Sequence, residues 1–217
     1  MAIQVVGNGG VIAEVGGSTF RALNAQIKPI EHGNNGHYKA TLRINSTAAQ
    51  TANSRILELR NPTAGLFIIP TRLSIRILQT AAGTAQENSL DVYKATNFTA
   101  VSTVNAVTGT PTTKRTSMSA VQGQLRYLTL TGVAAGMTGS TATKDATPIG
   151  TVPYNVAAAI NTNGPIAAVD VFDDVNGTHP LVLAQNEGLV IENRVLNVTS
   201  YGVTWFMDIA WAEVNSY

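Results

Sequence analysis

Between Val203 and Trp211 the chain keeps a strict period of two: Val203, Trp205, Met207, Ile209 and Trp211 fall on one side, and Thr204, Phe206, Asp208 and Ala210 on the other. Successive side chains of a strand point to opposite faces, so this pattern fits a strand buried on one face; a helix would scatter the same five residues around its axis. Two indoles on one strand face carry more apolar surface than a lone strand can hide. They predict a sheet packed against a second layer.

The same period recurs upstream. Tyr38, Ala40, Leu42 and Ile44 alternate with Lys39, Thr41, Arg43 and Asn45, and Leu73, Ile75 and Ile77 alternate with Arg72, Ser74 and Arg76. Arg55 to Arg60, Asp91 to Lys94, Leu125 to Leu130, Leu181 to Ala184 and Gly188 to Asn193 read as further strands. Turn chemistry separates them. Asn61-Pro62-Thr63-Ala64-Gly65 combines a Pro that fixes φ with a Gly that supplies freedom, and Gln185-Asn186-Glu187-Gly188 joins the runs on either side. Only Val156 to Ile160 has helical character, for a single turn ended by Asn161 and Gly164-Pro165. Short strands at regular intervals, with no helix beyond two turns, predict an all-β chain: a β-sandwich of jelly-roll type.

Residues 1–36 have a different texture. Gly7-Asn8-Gly9-Gly10, Gly16-Gly17 and Gly33-Asn34-Asn35-Gly36 cut them into pieces such as Val11 to Val15 and Ser18 to Leu23. Pieces this short need a partner, either the body or a neighbouring subunit, so residues 1–36 read as an extended N-terminal arm on a sandwich body of 37–217. Two long polar stretches interrupt that body, near 99–118 and 134–149.

With 217 residues and a 44% hydrophobic fraction, the chain is long enough and apolar enough for one sizeable β domain. Charged residues make up only 12%, about half the usual share, so Thr, Ser, Asn and Gly cover the surface or other subunits bury it. The latter predicts a homotrimer or homodimer. The 14 Lys and Arg balance 13 Asp and Glu, and the densest cationic spot is Lys114-Arg115, too little for binding nucleic acid by counterion release. No apolar run is long enough to span a bilayer, and Met1-Ala2-Ile3-Gln4 lacks the opening of a secretory signal. A protein made in a cytoplasm, with neither nucleic acid nor membrane as partner, is expected. The absence of cysteine removes disulfides, thiolate metal sites and cysteine nucleophiles together.

Reactive side chains are sparse. Asp170, Asp173 and Asp174, followed by Asn176-Gly177, form the one carboxylate cluster, but a helix-flanked calcium loop needs alternating ligands and a distant bidentate Glu, and that register is missing. The cluster reads as a strand end entering an Asn-Gly turn. His32, His37 and His179 have no metal-ligand spacing, Gly139-Ser140 is no nucleophile elbow, and Gly7-x-Gly9-Gly10 lacks the third glycine and the helix of a dinucleotide site. The tripeptides beginning at Asn45, Asn97, Asn176 and Asn197 match glycosylation sequons by the chance expected of a chain rich in Asn and Thr. No catalytic, cofactor-binding or metal-binding residue is assigned, and the chain reads as no enzyme.

Several short phrases carry a resemblance: Ala13-Glu-Val-Gly-Gly-Ser-Thr-Phe-Arg-Ala22, Leu59-Arg-Asn-Pro-Thr63, Ala82-Gly-Thr-Ala-Gln86, Tyr93-Lys-Ala-Thr96, Leu181-Val-Leu183, Asn186-Glu-Gly-Leu-Val-Ile191 and Trp211-Ala-Glu213. Spread over nearly the whole chain, they resemble structural proteins encoded beside the capsid genes of tailed bacteriophages. The resemblance implies a virion component, foremost a head decoration or cement protein that binds the major capsid protein and copies of itself. It brings no catalytic or ligand residues. Two other readings stand beside it. One is a different virion part, in the tail, a fibre or a host-glycan-binding module, which needs Trp205 or Trp211 at the surface. The other is an enzyme on a jelly-roll scaffold, which needs two carboxylates in a cleft drawn from Asp170, Asp173, Asp174, Glu187 and Glu213.

Overall fold

A computed structural model describes residues 3–6, 12–15, 35–46, 50–113, 118–129, 135–159, 169–173, 180–195 and 202–215. The chain divides into two compact units, Met1–Glu31 and His32–Tyr217. In the first, β1 (Ile3–Val6) and β2 (Ile12–Val15) form an antiparallel hairpin, Ile3 opposite Val15 and Val6 opposite Ile12. Within this unit the two pieces pair with each other. Ser18 to Leu23 lies outside the described residues.

The second unit opens with four long strands, β3 (Gly36–Ser46), β4 (Ser54–Arg60), β5 (Phe67–Gln79) and β6 (Gln86–Thr96). Four short ones follow: β7 (Ala106–Thr108), β8 (Thr112–Thr113), β9 (Gln124–Leu128) and β10 (Thr143–Lys144). It closes with β11 (Gly150–Val156), β12 (Val169–Asp173), β13 (Gly188–Asn193) and β14 (Val203–Val214). Every pairing is antiparallel. One sheet has the order β12-β5-β14-β3-β8, and the other β10-β6-β13-β4-β9-β7, with β11 also on β6. The two sheets pack face to face as a β-sandwich, the class that the alternation required. Among β3 to β6 and β11 to β14, every step along the chain changes sheet except the one from β6 to β11.

The core follows from the alternating strands. β14 is central, paired along its length with β3 and β5, and Trp205, Met207, Ile209 and Trp211 are fully buried against Ile44, Ile75, Leu57 and Ile191 from both sheets. Two prolines sit where a sheet tolerates a missing N–H. Pro70 lies at a bulge where Ala210 faces Arg72 but Trp211 faces Pro70, past the point where β12 stops pairing at Arg72. Pro153 lies in β11, which among the described residues is bonded to β6 alone and so forms an edge.

Several expected elements differ. Leu181 to Ala184 is no strand: it makes one bridge, Leu183 to Ile68, because the amide of Ala184 is taken by the Glu187 carboxylate at 2.9 Å. Val156 to Ile160 is no helical turn. Val156 ends β11, and the amide and carbonyl of Ala157 bond to the two ends of the Gln79 amide at 2.9 and 2.8 Å, so no helical ladder can use them; Ile160 lies outside the described residues. β9 ends at Leu128, where Thr129 N turns to the carbonyl of Asn105 at 2.9 Å. Among the described residues every non-glycine at positive φ is an asparagine (Asn53, Asn97, Asn105 and Asn186), the residue whose short amide best tolerates the left-handed region.

Candidate functional site

The polar stretch between β6 and β11 is the least ordinary part of the sandwich, and the way it is held defines the best candidate site. It leaves β6 at Asn97 and, in the Gly109-Thr110-Pro111 link, passes from one sheet to the other: β7 pairs with β9 in the second sheet, while β8 pairs with β3 in the first. β9 then adds to β4. The insertion thus joins both sheets along one side of the sandwich. The sequence marked 99–118 as a long polar stretch without showing its strands; pairs this short escape periodicity arguments.

Two glutamates with no exposed surface fasten it. Glu58, on the outward face of β4, accepts from the Ser102 amide at 2.8 Å, the Ser102 hydroxyl at 2.9 Å and Arg55 at 2.7 Å. Arg55 also lies 3.7 Å from Glu192, which Lys144 of the insertion pairs as well. Around this network Phe98 and Val101 of the insertion pack on Ala95 and Val190, a small second core outside the sandwich. Arg60 ties the same layer down through the carbonyl of Phe98 and, at 3.0 Å each, Gln124 and Asn186; burial lowers its guanidinium from the usual range. A buried carboxylate met by several donors is stable, and one stripped of them costs much more.

Glu213, on the inward face of β14, holds the other end. It accepts from the amides of Gln122 at 2.9 Å and Gly123 at 2.8 Å and from Trp211 Nε1 at 3.1 Å. The approach is close at Gly123, where a Cβ would stand 2.9 Å from Ile68 Cδ1 and 3.1 Å from the carboxylate. Nearby, Tyr38 donates to the carbonyl of Ser119 at 2.8 Å, and its ring lies 5.9 Å from that of Trp211. Burial, then the charge of Glu213, raises the Tyr38 hydroxyl above its ordinary range. On the other sheet Asp91, nearly fully buried, accepts from Ser89 at 3.1 Å and Tyr93 at 3.2 Å, and burial followed by Asp91 raises Tyr93.

Among the described side chains, the carboxylates expected of an enzyme, Asp170, Glu187 and Glu213, do not meet. Asp170 is exposed on β12, 3.6 Å from Arg72; Glu187 pairs with Lys94 at 3.2 Å; Glu213 is sealed inside. Asp173 ends β12, and Asp174, His32 and His179 lie outside the described residues. His37 is half-buried in β3. Among the described residues no three His, Asp or Glu side chains converge as metal ligands would. An open groove of 550 Å³ runs beside β6 and β11, and among the described residues lining it Glu87 is the one carboxylate and Arg194 the one cation, whereas acid–base work by paired carboxylates needs two. Trp205 and Trp211 are both 0% exposed, so neither offers a sugar-stacking surface. No helix among the described residues is long and apolar enough to cross a membrane.

Glu58 was missed in the sequence, although its place between Leu57 and Leu59 in an alternating run already turned it away from the core. What hid it is the layer that covers it: no pattern in β4 announces that residues 98–102 will close over its outer face. No protein-family model matches the chain, and no curated protein or solved structure matches it either.

Proposed function

We propose that this chain is a non-enzymatic virion structural protein: a capsid decoration or cement protein that binds neighbouring capsomers through its arm and its sheet faces and braces them. The observation that carries the reading is the division into a sandwich unit and a small unit, Met1–Glu31, whose described residues form a two-stranded hairpin. A two-stranded ribbon is at best marginally stable alone, so its natural role is to add to a partner's sheet or groove, where backbone hydrogen bonds supply affinity without special side chains. Repetition over a symmetric lattice turns weak contacts into firm attachment.

The body suits mechanical work. Among the described residues Glu58, Glu192 and Glu213 are spent on fastening an insertion across both sheets, and Asp91 on bonds within β6. The order β12-β5-β14-β3 against β11-β6-β13-β4, with chain steps alternating between sheets, supports the jelly-roll reading of this sandwich. A variant lacking residues 1–31 tests the proposal. It is expected to fold and to lose sedimentation with capsid shells, and undiminished co-sedimentation would contradict it.

A further inference from the structure

The outer face of the five-stranded sheet carries charge in an arrangement that its own acids do not satisfy. The register sets Arg43, Phe206 and Arg76 side by side across β3, β14 and β5, and two residues further along the strand direction comes the row Thr41, Asp208 and Ser74. Next is the row Lys39, Ala210 and Arg72. The acids of this face are occupied: Asp208 lies 3.7 Å from Lys39, and Asp170 lies 3.6 Å from Arg72. Arg43 and Arg76, both exposed, have no carboxylate partner among the described residues. Neighbouring strands lie about 4.8 Å apart, so the two arginines flank Phe206 with their backbones about 10 Å apart.

Arg43 is also pre-organised. Its guanidinium stands over the Phe206 ring, 5.8 Å from the centroid, and its Nε donates to Asn45 Oδ1 at 3.3 Å. Asn45 is itself fixed by the Thr204 hydroxyl at 2.8 Å. Ring and amide hold the plane of the guanidinium, and neither terminal NH2 group has a partner among the described residues; they form the fork that grips a carboxylate with two parallel hydrogen bonds. Between the arginines the floor is the half-buried ring of Phe206. An apolar floor rimmed by unpaired cations is the surface chemistry of a protein interface whose partner is acidic.

We propose that this face, centred on Phe206 between Arg43 and Arg76, docks an acidic patch of the capsid subunit, whose Asp or Glu carboxylates pair with the two guanidiniums; it rests on the decoration-protein reading above. The test uses the full-length protein, shells lacking it, and the double variant Arg43→Glu/Arg76→Glu, whose sites are exposed and spare the core. The wild type should bind shells with an affinity that falls as salt rises. The double variant should melt as the wild type does and bind at least about tenfold more weakly, with the salt dependence reduced. If the wild type binds and the double variant binds equally well, the docking face is wrong and the decoration reading stands. If the wild type binds no shells, both fall. Loss of binding to polygalacturonate with shell binding unchanged would reassign the face to an acidic glycan, and conversion of a wild-type oligomer to monomer by the same variant, again with shell binding unchanged, would reassign it to a second copy; either overturns the proposal.

Discussion

Trp211 and Glu213 stand two residues apart on the inward face of β14, and the indole N–H of the first donates to the buried carboxylate of the second at 3.1 Å. The same carboxylate accepts the amides of Gln122 and Gly123, so one side chain joins the central strand of one sheet to the segment leading into β9 of the other. Glu213→Gln keeps the shape but turns an NH2 group toward donors. It should lower unfolding stability by about 1–3 kcal/mol, and limited proteolysis should cut first near residues 119–123. Denaturant curves unchanged from wild type would refute the clamp.

The tryptophans, equally buried, differ in one respect. Trp211 Nε1 is bonded, whereas Trp205 Nε1 is buried with no hydrogen-bond partner. Replacement by Ala at either site should cost about 3–5 kcal/mol. Replacement by Phe separates them: Trp205→Phe loses volume alone, while Trp211→Phe also leaves Glu213 short of a donor. Chemical denaturation should rank Trp211→Phe as the more damaging, and the reverse order would contradict the hydrogen-bond assignment.

Alkaline pH should loosen the sandwich. Tyr38 and Tyr93 both hold their protons to higher pH than an ordinary tyrosine, whose value is 10.0. The folded state therefore binds more protons than the unfolded chain in that range. The stability involved is complete below about pH 10 and is lost as pH rises through the folded-state values. Urea midpoints measured from pH 8 to 11 should fall more steeply for wild type than for Tyr38→Phe/Tyr93→Phe. Parallel curves would show that these hydroxyls do not govern the alkaline limb.

What the sequence disclosed depended on whether a strand has one wet face. β3 and β14 alternate cleanly because Lys39, Arg43 and Asp208 meet solvent, and both were legible. β11 escaped notice although Val152, Tyr154 and Val156 alternate; Pro153 interrupts the run, and a place beside β6 at the sheet margin is where a strand tolerates it. The candidate site was the least legible part. Glu58 and Glu213 are joined to Ser102 and Gly123, 44 and 90 residues away, and periodicity within a strand says nothing about such partners. Trp211 was readable as core, but its role as a donor was not.

The central claim is that the protein is part of a virion head. Mass spectrometry of purified particles, with a low-resolution density map of the same particles, tests it most directly. The account predicts the chain at a stoichiometry fixed by the shell lattice, with sandwich-sized density on the head between capsomers. Its absence from purified particles, or density confined to the tail or fibres, would contradict the account.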